Sequence, residues 1–408
     1  MLWDGSLFKT GQELGILEES DHLLIGLQEN IPIDYDSIRD SAMLLYRLIC
    51  ELLRDRYHND LQAMAEDTGF RPEVVKLLEY FPENISPESF ARIDLFITED
   101  SWKFLEFNMG SLTGGMQYAS LPRLGGYKQE GDVLRTWAKG LSCHNIFPGS
   151  LTLFVVDETI VKEIHHPLSI FSQAVQQETQ SEVVIVGPRA LSWNGKSLIW
   201  QGRVVDNIYC RFEQEQLLRC PDDYTDLLLA LKAQAVNCPL GLGYNVLAGK
   251  GMWALLWQLY EENQLSPMQR TLVESYLPYT IWLSDETLNI AYEQQNDWVL
   301  KPTDGYAGRD VVCGREVDFL HWQETLNRAL SIGNKAFILQ RYTEPYPLSV
   351  TTCDVNGQHQ ESFARVVWGL YYQNGEYLGG LLRSLPMTES AVINYAMGAA
   401  TGPMMKTK

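Results

Sequence analysis

An alternating pattern of apolar and polar residues near residue 100 places the strongest constraint on the fold. The segment RIDLFI, the turn-like TEDS and the segment WKFLEFN together predict a β-hairpin. Because side chains alternate between the two faces of a strand, Arg92 shares a face with Asp94, and Glu106 shares a face with Asn108. A hairpin can bring both pairs together. Such a group of polar side chains either binds something or is a solvated face with a surface salt bridge.

The residue types in this hairpin suit a metal ion and a phosphate. Carboxylate and amide oxygens are the hard ligands that Mg²⁺ prefers when it bridges phosphates, and a guanidinium matches phosphate oxygens. The chain has no HExxH pattern and no CxxC pair, so we do not expect a zinc site. Its seven scattered cysteines argue against a disulfide framework and fit a reducing compartment.

Length and charge exclude several classes of protein. The 408 residues suggest two or three domains at roughly 150 residues per domain. The net charge, 32 − 52 = −20, argues against binding to nucleic acid or to an anionic membrane. It is compatible with a cationic substrate, although acidity often serves only solubility. No apolar run approaches the ~20 residues of a membrane span, and the N-terminal residues lack a signal-peptide pattern, so we expect a cytoplasmic protein.

The chain changes character along its length. The first ninety residues predict helices, with an apolar stripe over residues 37–53 and Pro72 in the first turn of a second helix. From about residue 150, LTLFVVD, a polar helical stretch and EVVIVG form the β-α-β pattern of a Rossmann-like unit. Two short strands meet across Asn194-Gly195, and residues 250–263 predict an amphipathic helix. The last third alternates strand patterns and turns, so we expect an α/β or α+β fold.

A glycine-containing loop, KPTDGYAGR, lies between the strand patterns DWVL and RDVV. Such a loop can lay backbone N–H groups on phosphates, with Lys301 adding charge, or it can be an ordinary tight hairpin. It matches neither the Walker A pattern nor the GxGxxG fingerprint. Lys250 lies at the start of the helix KGMWALLWQL. It is either a ligand of a phosphate group or an ordinary surface residue.

Taken in order, these motifs resemble the circularly permuted ATP-grasp ligases. The order is RxD…ExN, then N…K at a helix start with Asn245 and Lys250, KPxDGYxGRDV, a strand ending in QRY, and GGLLR, over residues 90–390. The synthetase part of glutathionylspermidine synthase is the most similar family. The step from Asp94 to Glu106 agrees with its metal hairpin. In ordinary ATP-grasp enzymes the lysines precede the metal carboxylates, whereas here they follow.

The resemblance implies a role for each matching residue. Asp94, Glu106 and Asn108 become ligands of two Mg²⁺ ions. Arg92 stabilises the transferring phosphoryl group, and Arg383 contacts the γ-phosphate. The implied ATP contacts are Lys250, Lys301, a flap over Gly305–Gly308, and Gln340 and Tyr342 at the adenine. Arg211 and Arg365 are further candidates for holding the substrate. Arg211 is either such a substrate contact or a surface arginine. The sequence leaves open whether Arg365 or Arg383 contacts the phosphate.

The implied architecture has five regions. They are a helical N-terminal segment (1–88), the metal hairpin with a glycine-rich stretch (89–147), a Rossmann-like substrate region (148–240), the ATP-binding helix and lid (241–350), and the C-terminal part of the core (351–408). The chain departs from the family in the flap, which lacks the usual Arg-Glu-Gly core. It also lacks the amidase domain and any motif specific for glutathione or spermidine.

The implied reaction joins the carboxylate of a small molecule or short peptide to an amine, through an acyl phosphate, with release of ADP and phosphate. The acidic balance allows a cationic amine. The main alternative is a phosphotransferase of the same fold acting on a non-carboxylate acceptor. A degenerate ATP-binding protein fits less well, because every motif keeps its charged residues, and a hydrolase unrelated to ATP would need a nucleophile and base that the sequence does not reveal. The sequence defines neither the acid, the amine nor the oligomeric state.

Overall fold

The computed structural model of the protein describes residues 6–27, 34–81, 89–127, 132–305, 308–393 and 395–404. Its α-helices are α1 Ser6–Glu13, α2 Tyr35–Asp55, α3 Leu61–Asp67, α4 Pro72–Leu77, α5 Met116–Leu124, α6 Val133–Gly140, α7 Val161–Thr179, α8 Gln214–Arg219, α9 Thr225–Lys232, α10 Tyr244–Ala248, α11 Gly251–Glu261, α12 Pro267–Tyr276, α13 Asp285–Glu293 and α14 Phe319–Ile332. Within these ranges, no helix combines the length and the apolar character that crossing a membrane requires.

The strands alternate with these helices along the chain. They are β1 Leu23–Leu27, β2 Ala91–Ile97, β3 Trp102–Met109, β4 Leu151–Val156, β5 Glu182–Val186, β6 Leu191–Trp193, β7 Leu198–Trp200, β8 Arg203–Val204, β9 Asn207–Arg211, β10 Thr280–Trp282, β11 Trp298–Pro302, β12 Val312–Cys313, β13 Phe337–Arg341, β14 Leu348–Cys353, β15 His359–Gln373, β16 Glu376–Pro386 and β17 Ala400–Pro403. This mixture of helix and sheet confirms the predicted α/β or α+β class at that coarse level.

The predicted hairpin is β2–β3, and it forms one edge of the largest sheet in the described part of the chain. The strand order is β14-β1-β17-β16-β15-β2-β3, and β14 also pairs with the first half of β15. The long strand β15 therefore has β16 on one side and β2 on the other. This arrangement places residues from the end of the chain beside the early hairpin.

Smaller sheets carry the other motifs. The antiparallel sheet β10-β13-β11-β12 contains the two strands that flank the glycine loop, although β12 has only two residues. The sheet β5-β4-β9 is parallel, and α7 connects β4 to β5, as the β-α-β pattern predicts. Strand β4 is buried along its whole length, as its unbroken apolar sequence requires. Strands β6 and β7 pair across the predicted Asn194-Gly195 turn.

Local sequence signals explain how several helices begin. The carboxylate of Asp34 accepts a hydrogen bond from the N–H of Asp36 and caps α2, which covers the predicted stripe. Helix α4 begins at Pro72, as predicted, because a first-turn proline gives up no helical hydrogen bond. The predicted borders of the five regions and the circular permutation stay predictions.

Two expectations about helices are wrong. Helix α11 is buried almost all round rather than amphipathic, because it packs against both the β2–β3 hairpin and the sheet of β10. Its Trp253 indole donates a hydrogen bond to the Phe104 carbonyl at 2.9 Å. The last third also contains α13 and α14, where only strands and turns were expected. The buried side chains of Trp322, Leu326 and Ala329 follow helical spacing in α14.

Candidate active site

The register of the hairpin brings its four polar residues onto one face. Asp94 lies opposite Glu106, and Arg92 lies opposite Asn108. A β-bulge produces this register, because Leu95 pairs with Phe104 and the intervening residue of β3 is unpaired. Without the bulge, the pairing that begins with Ile97 opposite Trp102 would place Glu106 and Asn108 on the other face of the hairpin. The bulge therefore makes the predicted meeting of the two pairs possible.

Asp94 is the buried centre of an arginine cluster. Its carboxylate accepts hydrogen bonds from Arg92 Nε at 2.8 Å, Arg92 Nη2 at 2.9 Å, Asn108 Nδ2 at 3.1 Å and Arg383 Nη2 at 2.6 Å. A carboxylate that is only 1% exposed needs such compensation. The remaining Arg92 nitrogen, Nη1, donates to the Gly114 carbonyl at 2.8 Å.

The Arg383–Asp94 contact crosses the strand β15, and a glycine makes room for it. Gly369 lies opposite Asp94 in the pairing of β15 with β2. A Cβ atom at position 369 would lie 2.9 Å from Asp94 Oδ1 and 3.0 Å from Arg92 Cδ. The absence of a side chain at Gly369 therefore permits the close packing of the three charged groups.

Glu106 is held ionised by the cations around it. Burial alone would raise its pKa, but the charges of Lys250, Lys301, Arg383 and Arg92 outweigh that effect and lower the pKa to about 2. Lys250 Nζ is 3.5 Å from Glu106 Oε2. The carboxylate is thus a stable anion at neutral pH.

The two predicted lysines approach Glu106 from different elements. Lys250 directly precedes α11, and its Nζ donates to the Gly305 carbonyl at 2.6 Å. Lys301 lies on β11, and its Nζ donates to Gln340 Oε1 on the neighbouring β13 at 2.6 Å. Burial lowers the pKa of Lys301 to about 8, with Glu106 opposing the shift. The side chain of Gln340 therefore holds this lysine in place.

One cleft of about 930 Å³ collects ten of the predicted site residues. It lies between the polar end of the large sheet and strands β11 and β13. The predicted residues that line it are Arg92, Asp94, Glu106, Asn108, Lys250, Lys301, Gly308, Gln340, Tyr342 and Arg383. Among these ten, four cations face two carboxylates, which leaves an excess of two positive charges. Such a cleft suits a polyphosphate.

The cleft also has an apolar part that was not predicted. It is lined by Phe96, Val299, Cys313, Val367 and Ile393. The alternation that places Arg92 and Asp94 on one face of β2 places Phe96 there too, so this residue could have been found. Val367 and Ile393 come from distant segments and carry no sequence signal of their own. A cleft with one cationic and one apolar part suits a ligand that carries both phosphates and an aromatic ring.

Three predicted residues occupy other positions. Gly305 lies beside the cleft, where its carbonyl accepts from Lys250. Arg211 Nη1 donates to the Ser111 carbonyl at 2.6 Å, and its guanidinium lies 5.5 Å from the ring centre of Phe171. Arg365 Nη1 donates to the carbonyls of Met387 and Glu389, which precede the cleft residues 391–393. The roles of all three stay predictions.

The residues of the predicted adenine contact and of the predicted flap make contacts that the sequence did not predict. The Arg315 guanidinium lies 3.6 Å from the ring centre of Tyr342. The backbone N–H of Tyr342 donates to the Asp297 carbonyl at 2.8 Å. Asp304 in the flap accepts from Arg71 Nε at 2.7 Å. Gly308 has φ +70°, a conformation that favours glycine. The other two members of the predicted flap, Tyr306 and Ala307, lie outside the described residues.

Two of the three predicted Mg²⁺ ligands have oxygen atoms that border the cleft. Glu106 and Asn108 line the cleft and offer a carboxylate and an amide, which suit this ion. Asp94 accepts four hydrogen bonds in this structure, so it would have to exchange some of them to become a ligand. Within the described ranges, no group of three or more His, Cys, Asp or Glu side chains is placed to hold a metal. Of the three predicted ligands, Glu106 and Asn108 thus offer oxygens of the type that Mg²⁺ takes, and the predicted role of Asp94 as a ligand stays a prediction.

Known proteins give a likeness of fold. A scan against protein-family models found no match, and a search of the curated proteins found none. Among solved structures, the chain is similar to a glutathione synthetase-like effector, GSS30, from Globodera pallida, with a TM-score of 0.57 and 11% identity over 98% of this chain and 94% of that chain. A provisionally assigned gamma-glutamylcysteine synthetase from Methylobacillus flagellatus KT aligns with a TM-score of 0.47 and 13% identity over 94% of this chain and 90% of that chain. The first likeness agrees with the expected ATP-grasp architecture.

Proposed function

We propose that the protein is an ATP-dependent carboxylate–amine ligase with a circularly permuted ATP-grasp fold. The observation that best supports this function is the convergence of Lys250, Lys301, Arg92 and Arg383 around Glu106 at one end of a cleft whose other part is apolar. The fold likeness to a glutathione synthetase-like protein supports the same reaction class.

The proposed reaction has two chemical steps. A carboxylate oxygen of the acid attacks the γ-phosphorus of ATP, and the bond to the ADP oxygen breaks, which gives an acyl phosphate and ADP. The amine nitrogen then attacks the acyl carbon, loses a proton, and inorganic phosphate leaves. Bound Mg²⁺, held by Glu106 and Asn108, would supply neutralising charge to the phosphoryl group.

The protein groups have separate parts in these steps. Lys250 and Lys301 lie where they can bind the phosphates of ATP, and Gln340 orients Lys301. Arg383 and Arg92 meet at Asp94, so this carboxylate fixes both guanidinium groups before the phosphate arrives. Preorganised cations of this kind stabilise the charge that develops during phosphoryl transfer.

The flap would protect the intermediate. An acyl phosphate hydrolyses in open water, so the loop around Gly305 must cover it. Lys250 holds the Gly305 carbonyl, and Arg71 holds Asp304, which fixes these two loop residues beside the cleft. The substrates we propose are a small carboxylic acid or short peptide and an amine, for which the net charge of −20 allows a cationic one.

Hydroxylamine provides the test of this reaction class. It replaces the unknown amine and converts an acyl phosphate into a stable hydroxamate with release of phosphate. We expect hydroxamate that depends on ATP, Mg²⁺ and an added carboxylic acid. Phosphorylation of an alcohol without any hydroxamate would instead identify a phosphotransferase, and full activity in excess chelator would contradict the role of Mg²⁺.

A further inference from the structure

A second recess adjoins the cleft on the other side of its charged wall. Both spaces are lined by Glu106, Asn108 and Lys250. The apolar residues that line the recess include Phe70, Leu112 and Ala248. A group in the recess would therefore face a group in the cleft across these three shared residues.

Two buried polar side chains line this recess without a hydrogen-bond partner. Asn245 of α10 is 5% exposed, and Thr113, in the loop after β3, is 3% exposed. Among the described residues, neither Asn245 Nδ2 nor Thr113 Oγ1 has a hydrogen-bond partner. Buried polar atoms are nearly always hydrogen-bonded, so an unpaired amide and an unpaired hydroxyl in one recess indicate a ligand that pairs them.

A comparison within the same chain supports this interpretation. Asn207 and Thr152 are equally buried, but their side chains bond to each other at 3.1 Å. In this pair a buried amide and a buried hydroxyl satisfy each other. Asn245 and Thr113 differ from this pair, because both line the recess and each keeps a polar atom without a partner among the described residues.

The charges around the recess indicate which substrate enters it. The carboxylate of Asp304 is paired with Arg71 at 2.7 Å, and that of Glu106 faces Lys250, so no carboxylate there is free to attract an ammonium group. Lys250 is the one cation among the described lining residues, and it lies on the shared wall. A second carboxylate deeper in the recess would therefore have no cation to pair with.

We propose that this recess binds the acid substrate, a compact monocarboxylic acid with a mainly apolar body, and that Asn245 and Thr113 donate hydrogen bonds to it. This inference rests on the proposed ligase function and adds the substrate class. The carboxylate would face the γ-phosphate across the wall of Glu106, Asn108 and Lys250. One of its oxygens forms the new bond to phosphorus, and the phosphorus–oxygen bond to ADP breaks.

Hydroxamate formation by the full-length protein tests the proposal. The probes are acetate, propanoate, alanine, valine, leucine and alanyl-alanine, with succinate and glutamate as dicarboxylates of similar size. Each is assayed with ATP, Mg²⁺ and hydroxylamine on the wild type and on the variants Asn245→Leu and Thr113→Val. Thr152→Val is the matched control, because it also removes a buried threonine hydroxyl.

The expected result separates binding of the acid from binding of ATP. A monocarboxylic acid should be the best probe, and each recess variant should raise its KM by about tenfold or more, with the KM for ATP nearly unchanged. Because neither recess variant breaks a side-chain hydrogen bond among the described residues, both should keep or raise the thermal midpoint. Thr152→Val should lower the midpoint, since it removes the hydrogen bond that Asn207 Nδ2 donates to Thr152 Oγ1, and should leave the KM for the acid unchanged.

Three outcomes overturn the proposal. A preference for the dicarboxylates, or an unchanged KM for the acid in both recess variants, removes the recess assignment while the ligase function stands. A loss of thermal stability in Thr113→Val as large as in Thr152→Val shows a structural role instead. No hydroxamate from any acid with the wild type contradicts the ligase function itself and the recess assignment with it.

Discussion

Lys250 Nζ lies 3.5 Å from Glu106 Oε2 and joins the start of α11 to the β2–β3 hairpin. The same nitrogen donates to the Gly305 carbonyl of the glycine loop. A single ammonium group thus connects three motifs that are far apart in the sequence. The loop, the hairpin and the start of the helix therefore meet at the Lys250 ammonium group.

The first prediction is that Glu106→Gln abolishes hydroxamate formation while ATP still binds. Glutamine keeps the shape but removes the negative charge that lies beside Lys250 and that a bound Mg²⁺ would need. Loss of this charge should cost several kcal/mol, on the order of a thousandfold in rate. The apolar part of the cleft is unchanged, so nucleotide binding should persist in weakened form when measured by calorimetry.

Glu182→Gln is the matched control for this variant. Glu182 forms an exposed ion pair with Arg203 at 2.6 Å, and neither residue lines the cleft. Its loss should change stability by about 0–1 kcal/mol and activity not at all. A folded Glu106→Gln protein that is as active as this control would refute the metal assignment.

The second prediction is a pH dependence of ATP binding that Lys301 causes. Burial lowers the pKa of Lys301 to about 8, so the free protein loses this charge as the pH rises through that value. Phosphates favour the charged form, and the pKa rises in the complex. The affinity for metal-free ATP should therefore be highest below pH 8 and fall by up to about tenfold per pH unit above it.

Lys301→Arg is the control for the pH effect, because arginine keeps its charge throughout this range. Its affinity for metal-free ATP should be nearly flat between about pH 7.5 and 9.5. If Lys301→Arg shows the same decline as the wild type, another group causes it.

The hairpin shows how far alternation along a strand predicts a site. Period two correctly places Arg92 with Asp94, and Glu106 with Asn108. It does not predict that the two pairs share a face, because the register set by Ile97 opposite Trp102 would place them apart. One unpaired residue in β3 corrects the register. A bulge depends on the packing of both strands, and the sequence of one strand carries little signal for it.

Contacts between distant segments explain the other gaps. The pairing of Arg71 with Asp304 and the hydrogen bond from Lys301 to Gln340 join elements that only the complete fold brings together. Lys250 and Lys301 could be predicted as site residues, because each lies in a motif that the local sequence shows. Asn245 opens the N…K motif and Thr113 lies in the glycine-rich stretch, but neither motif indicates a role for them, and only the lack of partners among the described residues draws attention to them.

The third prediction concerns the flap. Gly308 has φ +70°, which a β-branched residue adopts only with strain. Gly308→Val should lower the thermal midpoint by about as much as Gly195→Val does, because both replace a glycine at positive φ, and should in addition reduce turnover sharply. Gly195→Val is the control, since Gly195 has φ +87° in the hairpin between β6 and β7. Equal activity of both variants would show that the glycine loop is only a connection.

The last prediction is that Asp94→Asn destabilises the protein far more than Glu106→Gln does. Asp94 is 1% exposed, and its carboxylate is the acceptor for two guanidinium groups, those of Arg92 and Arg383. Asparagine removes the negative charge and leaves these cations together without it. Breaking a buried ion pair from one side costs about 3–5 kcal/mol, because the remaining charge stays desolvated. Glu106 borders the open cleft, where water can solvate the lysine that loses its partner. Urea unfolding of the two variants, with Glu182→Gln as the surface reference, measures the difference. If Asp94→Asn is no less stable than Glu106→Gln, the arginine cluster does not depend on Asp94, and this carboxylate is free to serve as a metal ligand.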